Sequence, residues 1–310
     1  MFISFGIFIL IYRSTSPTSE GCLKALIRSS GGAQKPPSVS PTELKFIYLP
    51  DWDLDWILPD LLFTKTSTAV EWKAVASAIK TLVEEATFEA TNESLIFRAM
   101  DPSHIALVDL NWPNTAFEKY ECDKPFKFSI RVEDFVKLIG RTDAKDSVEL
   151  SSTEEDALLL RLMNGYKREF RIHLIESTSG TAPLPKLELD ARISMSKSVF
   201  EKVLADISVV ADQVAMSALK ENVSFGGKSD VGAATITLDK NGADILELDA
   251  KQEAKSSYNI DYLMSISKAL GSVAETVTLE FSSKKPLRLE WKLNEQGATV
   301  RYFLAPRISE

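Results

Sequence analysis

Residues 94–110 read SLIFRAMDPSHIALVDL, in which two segments of alternating apolar side chains flank the polar turn Asp101–His104. This alternation predicts two antiparallel strands that each bury one face. The turn holds one of only two histidines in the chain. It is therefore either a catalytic element or part of a surface that another molecule binds, and the rest of the chain must decide between them.

The pattern returns about 128 positions later, where NVSFGGK (222–228) and AATITL (233–238) show the same alternation. The helical stripe of EWKAVASAIKTLVEE (71–85) likewise recurs in SVFEKVLADISVV (198–210). An offset that stays nearly constant over both helices and strands indicates an internal duplication.

Two further pairs of segments extend the duplication. The helix VEDFVKLIG (132–140) corresponds to IDYLMSISKAL (260–270), and the hairpin within 157–175 corresponds to the one within 287–305. We therefore predict an α+β fold of two duplicated domains. Each domain has two helices packed on eight or nine antiparallel strands.

The predicted domains cover residues 62–174 and 191–310, with a Gly- and Pro-bearing connector at 175–190. Residues 1–61 differ from both. They open on MFISFGIFILIY, which is shorter than the roughly 20 residues of a membrane helix and lacks the basic start of a secretory signal. We expect a disordered extension or a misassigned start; a membrane tether followed by a linker is the alternative.

The composition restricts the function. The chain carries 36 Lys and Arg against 44 Asp and Glu, a formal net charge of −8. Phosphate affinity rests on cations, so only basic residues gathered on one face would let this chain bind nucleic acid. Cys22 and Cys122 have no metal-ligand spacing, and two histidines do not complete a zinc site, so we expect no metal and no cofactor.

All four predicted helices carry cations on the side opposite their apolar stripes. These are Lys73 and Lys80 on the first helix, Lys137 and Arg141 on the second, Lys202 on the third and Lys268 on the fourth. Ordinary solvated faces also carry lysines, so the residues alone leave both a solvated face and a binding face open.

The turn MDPSHI (100–105), the duplication, the connector that ends near Pro185 and the terminal RYFLAPRI (301–308) closely resemble the proliferating cell nuclear antigen family. The resemblance covers residues 62–310 and is closest to archaeal members. It implies the DNA-clamp fold and the function of a DNA sliding clamp, without catalytic residues or enzymatic activity.

The resemblance also implies a ring of three chains, with helices around a central hole and sheets outside. The six helix cations named above would then face double-stranded DNA independently of its sequence. Chains would join edge to edge through the strands FRIHLI (170–175) and AATITL (233–238). The expected interface residues on them are Phe170, Ile172, Leu174, Ala234, Ile236 and Leu238.

In this family, partner proteins insert a short hydrophobic and aromatic peptide into a pocket on the outer surface. Carried over to this sequence, the pocket consists of Met100, His104, Ile105, Leu107, Leu184, Pro185, Pro286, Phe303, Ala305 and Pro306. Phe303 stands where many members have tyrosine, so a hydrogen bond from that hydroxyl is absent. His104 is then a turn residue at the pocket and not a base.

The resemblance implies the partners as well: DNA polymerase, clamp loader, ligase and flap nucleases, bound with the chromosomal DNA inside the cell and away from membranes. A homotrimer is the primary expectation, and one subunit of a heterotrimer is the alternative. A third hypothesis, from another class, is a metal-dependent nuclease or hydrolase that uses acids such as Asp101 and Asp156.

Overall fold

The computed structural model describes residues 8–13, 23–28, 61–154, 156–176 and 182–307. Within the leading segment, strands β1 (Phe8–Arg13) and β2 (Leu23–Arg28) pair as an antiparallel hairpin. The other residues of the expected extension, up to Asp60, lie outside the described part. None of the helices in the described ranges is both long and apolar enough to cross a membrane.

The first domain has nine strands and two helices. They are β3 (Leu62–Thr66), α1 (Val70–Lys80), β4 (Glu85–Ala90), β5 (Ser94–Met100), β6 (Ala106–Pro113), β7 (Lys119–Glu121), β8 (Phe126–Arg131), α2 (Val132–Ile139), β9 (Ser147–Glu154), β10 (Ala157–Met163) and β11 (Lys167–His173).

The second domain repeats this order element by element. Its elements are β12 (Ala191–Ser196), α3 (Lys197–Ser208), β13 (Gln213–Ala218), β14 (Asn222–Lys228), β15 (Ala233–Asp239), β16 (Ile245–Ala250), β17 (Ala254–Asn259), α4 (Ile260–Leu270), β18 (Thr276–Phe281), β19 (Leu287–Lys292) and β20 (Thr299–Leu304).

The strand order confirms the predicted duplication. In the first domain, β11-β10-β9-β3-β7 form one sheet and β6-β5-β4-β8 form another; in the second, β20-β19-β18-β12-β16 and β15-β14-β13-β17 follow the same orders. Each domain is therefore a five-stranded and a four-stranded antiparallel sheet, and the α+β prediction is confirmed.

The two domains are joined through a shared sheet. Strand β20 pairs antiparallel with β6, so that Tyr302 lies opposite Val108 and Phe303 opposite Leu107. This pairing fuses the five strands of the second domain with the four strands of the first into nine. The other two sheets remain separate. One ends in β11 and β7 and the other in β15 and β17, so β11 and β15 each have a strand neighbour on one side only in the described chain.

The helices form a continuous row in the order α2, α1, α4, α3, because α1 contacts both α2 and α4 while α4 contacts α3. Their apolar stripes join one hydrophobic core with the inward faces of the strands, including Trp72, Phe200 and Trp291, each at most 1% exposed. Asn259 caps α4, since its side-chain oxygen accepts the backbone N–H groups of Asp261 and Tyr262.

Close packing of β14 against α3 explains the glycine at position 227 in NVSFGGK. A Cβ atom at this position would lie 2.6 Å from Cγ2 of Ile207 on α3. Strand β14 therefore approaches the helix too closely to leave room for a side chain at this position, which is a packing requirement.

Candidate functional site

The turn between β5 and β6 is organised by one carboxylate. Asp101, which is 5% exposed, accepts backbone N–H groups from Ile105 at 2.7 Å and Ala106 at 2.6 Å through Oδ1, and from Ser103 at 3.2 Å through Oδ2. His104 adopts a φ of 56°, in the left-handed region that asparagine, aspartate and histidine tolerate best. The acid therefore shapes the turn and is not available as a catalytic group.

Three predicted pocket residues lie side by side on adjacent strands. The strand register places Met100 opposite Leu107, and Leu107 opposite Phe303. Leu107 is 2% exposed and Phe303 is 4% exposed, whereas Met100 is half-buried. This apolar row crosses the seam between the two domains and forms the floor of the candidate pocket.

The remaining pocket residues surround this floor to different degrees. Ile105 and Leu184 are exposed large apolar residues, and His104 is exposed with its Nδ1 3.2 Å from the sulfur of Met100. The half-buried members are Pro185, Pro286, Ala305 and Pro306. Ala305 extends the seam beyond the strands, because its backbone N–H donates to the carbonyl of Ile105 at 2.8 Å.

The connector lies across the outer face of the nine-stranded sheet. Arg98 Nη1 donates to the carbonyl of Ala182 at 3.5 Å, and Lys285 Nζ donates to that of Glu188 at 3.1 Å. Leu184 and Pro185 lie between these two anchor points, so the chain order brings them to the side of the sheet that carries the pocket floor.

An ion-pair ladder that the sequence did not predict runs next to the apolar row. Asp109, 3% exposed, binds Arg98 at 2.7 Å and lies 4.0 Å from Arg301 of the other domain, which binds Glu290 at 2.8 Å. Directly opposite side chains of unlike charge stabilise strand pairs. The signal in the sequence is the alternating charge of the side chains on β5, β6, β20 and β19. This alternation becomes visible only when the strand register is known.

A partly buried hydrogen bond ties the turn to the second domain. The hydroxyl of Tyr262 on α4 donates to Oδ2 of Asp101 at 3.2 Å. Burial, followed by the adjacent Asp101 carboxylate, raises the pKa of Tyr262 further above neutrality.

The helix cations differ in how free their charges are. The ammonium of Lys73 donates to the backbone carbonyl of Thr142, just beyond α2, so this half-buried side chain does not point freely outward as expected. Lys137 forms an ion pair with Glu133 at 2.8 Å, which raises the pKa of Lys137. The other members of the predicted set are exposed and have no ion pair among the described residues: Lys80, Arg141, Lys202 and Lys268.

The edge strands β11 and β15 carry the predicted interface side chains. On β11 and just after it, Phe170 and Leu174 are half-buried and Ile172 is 7% exposed. On β15, the half-buried side chains are Ala234, Ile236 and Leu238. All of them except Ile172, which is itself a core residue, pack at the border of the core.

The acids of the nuclease hypothesis do not form a site. Asp156 lies in the turn between β9 and β10, where its side chain is 76% exposed and lies 3.8 Å from Arg171. Asp101 lies in the turn between β5 and β6, two strands of a different sheet. No group of three or more potential metal ligands occurs among the described residues. Cys122 is a buried free thiol whose pKa is raised mainly by burial, and Cys22 lies outside the described residues.

Comparison with solved structures supports the fold. The proliferating cell nuclear antigen of Thermococcus kodakaraensis superposes with a TM-score of 0.76 at 23% identity, over 79% of this chain and 100% of that chain. The corresponding protein of Entamoeba histolytica gives a TM-score of 0.75 at 23% identity, over 81% and 100%.

Sequence relatives are closer. A protein of Nitrosopumilus maritimus named DNA polymerase sliding clamp is 46% identical over 244 residues, which is 79% of this chain and 97% of the relative. A protein of the same name from Thermococcus gammatolerans is 31% identical over 242 residues, or 78% and 96%. The family profile for the proliferating cell nuclear antigen N-terminal domain matches residues 61–176, and that for its C-terminal domain matches residues 183–307. The chain therefore belongs to the proliferating cell nuclear antigen family.

Proposed function

We propose that this protein is a non-enzymatic DNA sliding clamp that closes into a ring of three identical chains around duplex DNA. The observation that carries this proposal is a strand pairing between the two domains whose repeat equivalent is not made within the chain. Inside the chain, β20 of one domain pairs with β6 of the other. Their repeat counterparts, β11 and β15, lie at sheet edges instead, and each has a strand neighbour on one side only in the described chain.

Burial supports the pairing of these edges between copies. At the internal seam, the side chains of Val108, Leu110 and Tyr302 are each 1% exposed. Their counterparts at the free edges, Ala234, Ile236 and Phe170, are only half-buried. A second copy that added its β15 to β11 would bury them as the internal seam does. Edge strands otherwise promote uncontrolled association.

A heterologous contact of this kind either closes into a ring or continues as a filament, depending on the rotation between copies. The relatives named sliding clamps support closure, and three chains of two domains would give six similar domains. Because both complementary edges belong to this one chain, identical copies suffice, and sister chains of a heterotrimer are not required.

The helix row supports binding of DNA in the hole. The continuation of α2, α1, α4 and α3 around a ring would present Lys80, Lys137, Arg141, Lys202 and Lys268 toward the duplex, with Lys73 contributing less because Thr142 holds its ammonium. Contacts to phosphates carry no sequence information, so such a ring slides. The acidic surplus of the chain would then lie outside the hole.

The outer pocket supports the tethering of DNA polymerase and of clamp-loader, ligase and flap-nuclease proteins. Aliphatic and aromatic floor residues such as Leu107 and Phe303 accept aromatic rings, while the connector offers backbone groups to an extended flank. A bound peptide would hold each partner on the chromosomal DNA without any chemistry by the clamp.

The assembly is tested by the mass of the wild-type chain in solution. We expect light scattering to give about three protomers at micromolar concentration, because each edge strand then has a partner. A chain that stays monomeric alone but assembles when mixed with related subunits of its source would favour the heterotrimer, and a monomer under all conditions would contradict the ring.

The DNA face is tested by reversing two helix charges. Lys80→Glu together with Lys137→Glu should reduce retention on closed circular DNA at least tenfold, since a steady attraction to phosphates becomes a repulsion. The matched control is Lys119→Glu with Lys255→Glu, which changes the net charge equally on exposed strand residues. Equal retention of both double variants would mean that α1 and α2 do not face the duplex.

A further inference from the structure

Tyr166 is an unexplained exposed aromatic residue. It lies in the turn between β10 and β11, and 67% of its surface is accessible. Its counterpart in the second domain is Ala298, because the two turns have equivalent backbone hydrogen bonds. The N–H of Asn164 donates to the carbonyl of Tyr166, and the N–H of Leu293 donates to the carbonyl of Ala298. Ala298 is completely buried. The same turn position is therefore covered at the internal seam and open at the free edge.

The cover over Ala298 comes from the other domain. Next to it in this turn, Asn294 reaches Glu71 at the start of α1 at 3.3 Å, and a Cβ on Gly297 would lie 3.8 Å from Pro113 at the end of β6. Because α3 repeats α1 and β15 repeats β6, the counterpart of Glu71 in the second domain is Val199 and that of Pro113 is Asp239. Val199 is a partly buried apolar residue at the start of α3.

The internal seam also fixes a register for the contact between copies. Phe170 corresponds to Tyr302, since they lie opposite the equivalent residues Leu160 and Leu289. Ala234 corresponds to Val108, by the pairing of β14 with β15 and of β5 with β6. Because Tyr302 pairs with Val108, Phe170 should pair with Ala234 of the next copy.

Continuing this antiparallel register by four residues on each strand brings Tyr166 opposite Leu238 of the next copy, on the helix side of the sheet. We propose that Tyr166 is an anchor of the subunit contact, packing its ring on Leu238 and Val199 of the next copy in this register. The inference rests on the proposed ring and adds to it a residue outside the two paired strands.

The turn holds the Tyr166 ring ready for this contact. The guanidinium of Arg168 lies over the ring at 5.2 Å from its centre. Arg168 is itself fixed by an ion pair with the buried Asp146. Burial opposes the charge of Asp146, but the backbone N–H of Asp143 and the Arg168 guanidinium outweigh it and lower the pKa of this carboxyl. An aromatic side chain fixed before binding loses little freedom when the partner arrives.

The first test is the substitution Tyr166→Ala in the full chain. We expect the concentration at which the oligomer dissociates to rise about tenfold or more, as for a buried aromatic anchor. Leu246→Ala is the matched control, because Leu246 is 61% exposed on β16, which belongs to a different sheet from β11 and β15. Equal dissociation of the two variants would overturn the anchor, while a wild-type chain that never assembles would overturn the ring itself.

The second test reads the register by cysteine cross-linking, in a chain whose Cys22 and Cys122 are replaced by serine. Glu169→Cys combined with Thr235→Cys should cross-link between copies upon oxidation or with a short bifunctional thiol-reactive reagent. Glu169→Cys combined with Val231→Cys or with Asp239→Cys should cross-link at least tenfold less, since four residues along a strand are about 13 Å. Preferential linkage in either of these pairs would overturn the register.

Discussion

Thr235→Pro is expected to convert the ring into monomers, the largest effect on assembly among single substitutions at the free edge. The N–H of Ala305 donates to Ile105 at the internal seam. In an antiparallel pair, hydrogen-bonded residue pairs alternate with non-hydrogen-bonded ones. Since Ala305 and Ile105 are hydrogen-bonded, Arg301 and Asp109, four residues away on each strand, are hydrogen-bonded as well. Thr235 is the counterpart of Asp109 in the second domain. Its N–H therefore points away from β14 and toward the next copy. Proline removes this donor and obstructs strand addition.

Thr235→Val is the matched control, since it keeps the N–H and has a high β-propensity. Light scattering should give one-third of the wild-type mass for the proline variant and the full mass for the valine variant. Circular dichroism of both should show the same strand content, because the pairing of β15 with β14 is not touched. A proline variant that remains fully trimeric would contradict the pairing of β15 between copies.

Leu107→Ala combined with Phe303→Ala is expected to abolish binding of partner peptides while the oligomer stays intact. The two side chains are opposite each other across the domain seam and form the pocket floor. Their loss removes the apolar surface on which an aromatic anchor rests, so we expect affinity to fall at least a hundredfold. Calorimetric titration with a peptide that carries one aliphatic and two aromatic anchors measures the change.

The burial of Leu107 and Phe303 means that this double variant also lowers the folding stability, which the sequence did not predict. Leu107 and Phe303 are nearly inaccessible, so each truncation costs about 2–5 kcal/mol of folding stability. Ile105→Glu provides the necessary comparison, because Ile105 is exposed at the rim and its replacement leaves the core unchanged. We expect it to weaken the peptide with little change in melting temperature. Undiminished binding by both variants would contradict the pocket assignment.

Helix periodicity predicted the existence of every helix, but not every end. The fourth helix spans residues 260–270 as expected. The first ends at Lys80, although its apolar stripe continues through Leu82 and Val83 to an expected end at Glu85. The hydroxyl and the N–H of Thr81 both bind the carbonyl of Ala78. The chain turns there, and Leu82 reaches the core from the turn instead of from a helix.

The candidate pocket was predictable only through its resemblance to a family, because its residues come from four separated segments. The role of Asp101 was not predictable, since an acid beside a histidine is equally compatible with chemistry. Three backbone donors decide its role, and they converge on it only after the turn has formed. The hydrogen bond from Lys73 to Thr142 was unpredictable for the same kind of reason, since Thr142 lies beyond a different helix.

The sequence by itself determined the duplicated α+β fold, because apolar periodicity and its recurrence at a constant offset are local properties of the chain. Only the tertiary structure decided which sheet edges pair with each other inside the chain and which remain unpaired. The pairing of β20 with β6 joins residues almost 200 positions apart, and no local pattern separates these strands from β11 and β15. Burial and hydrogen bonding across strands depend on that choice, and so do the pocket floor, the ion-pair ladder and the exposed Tyr166.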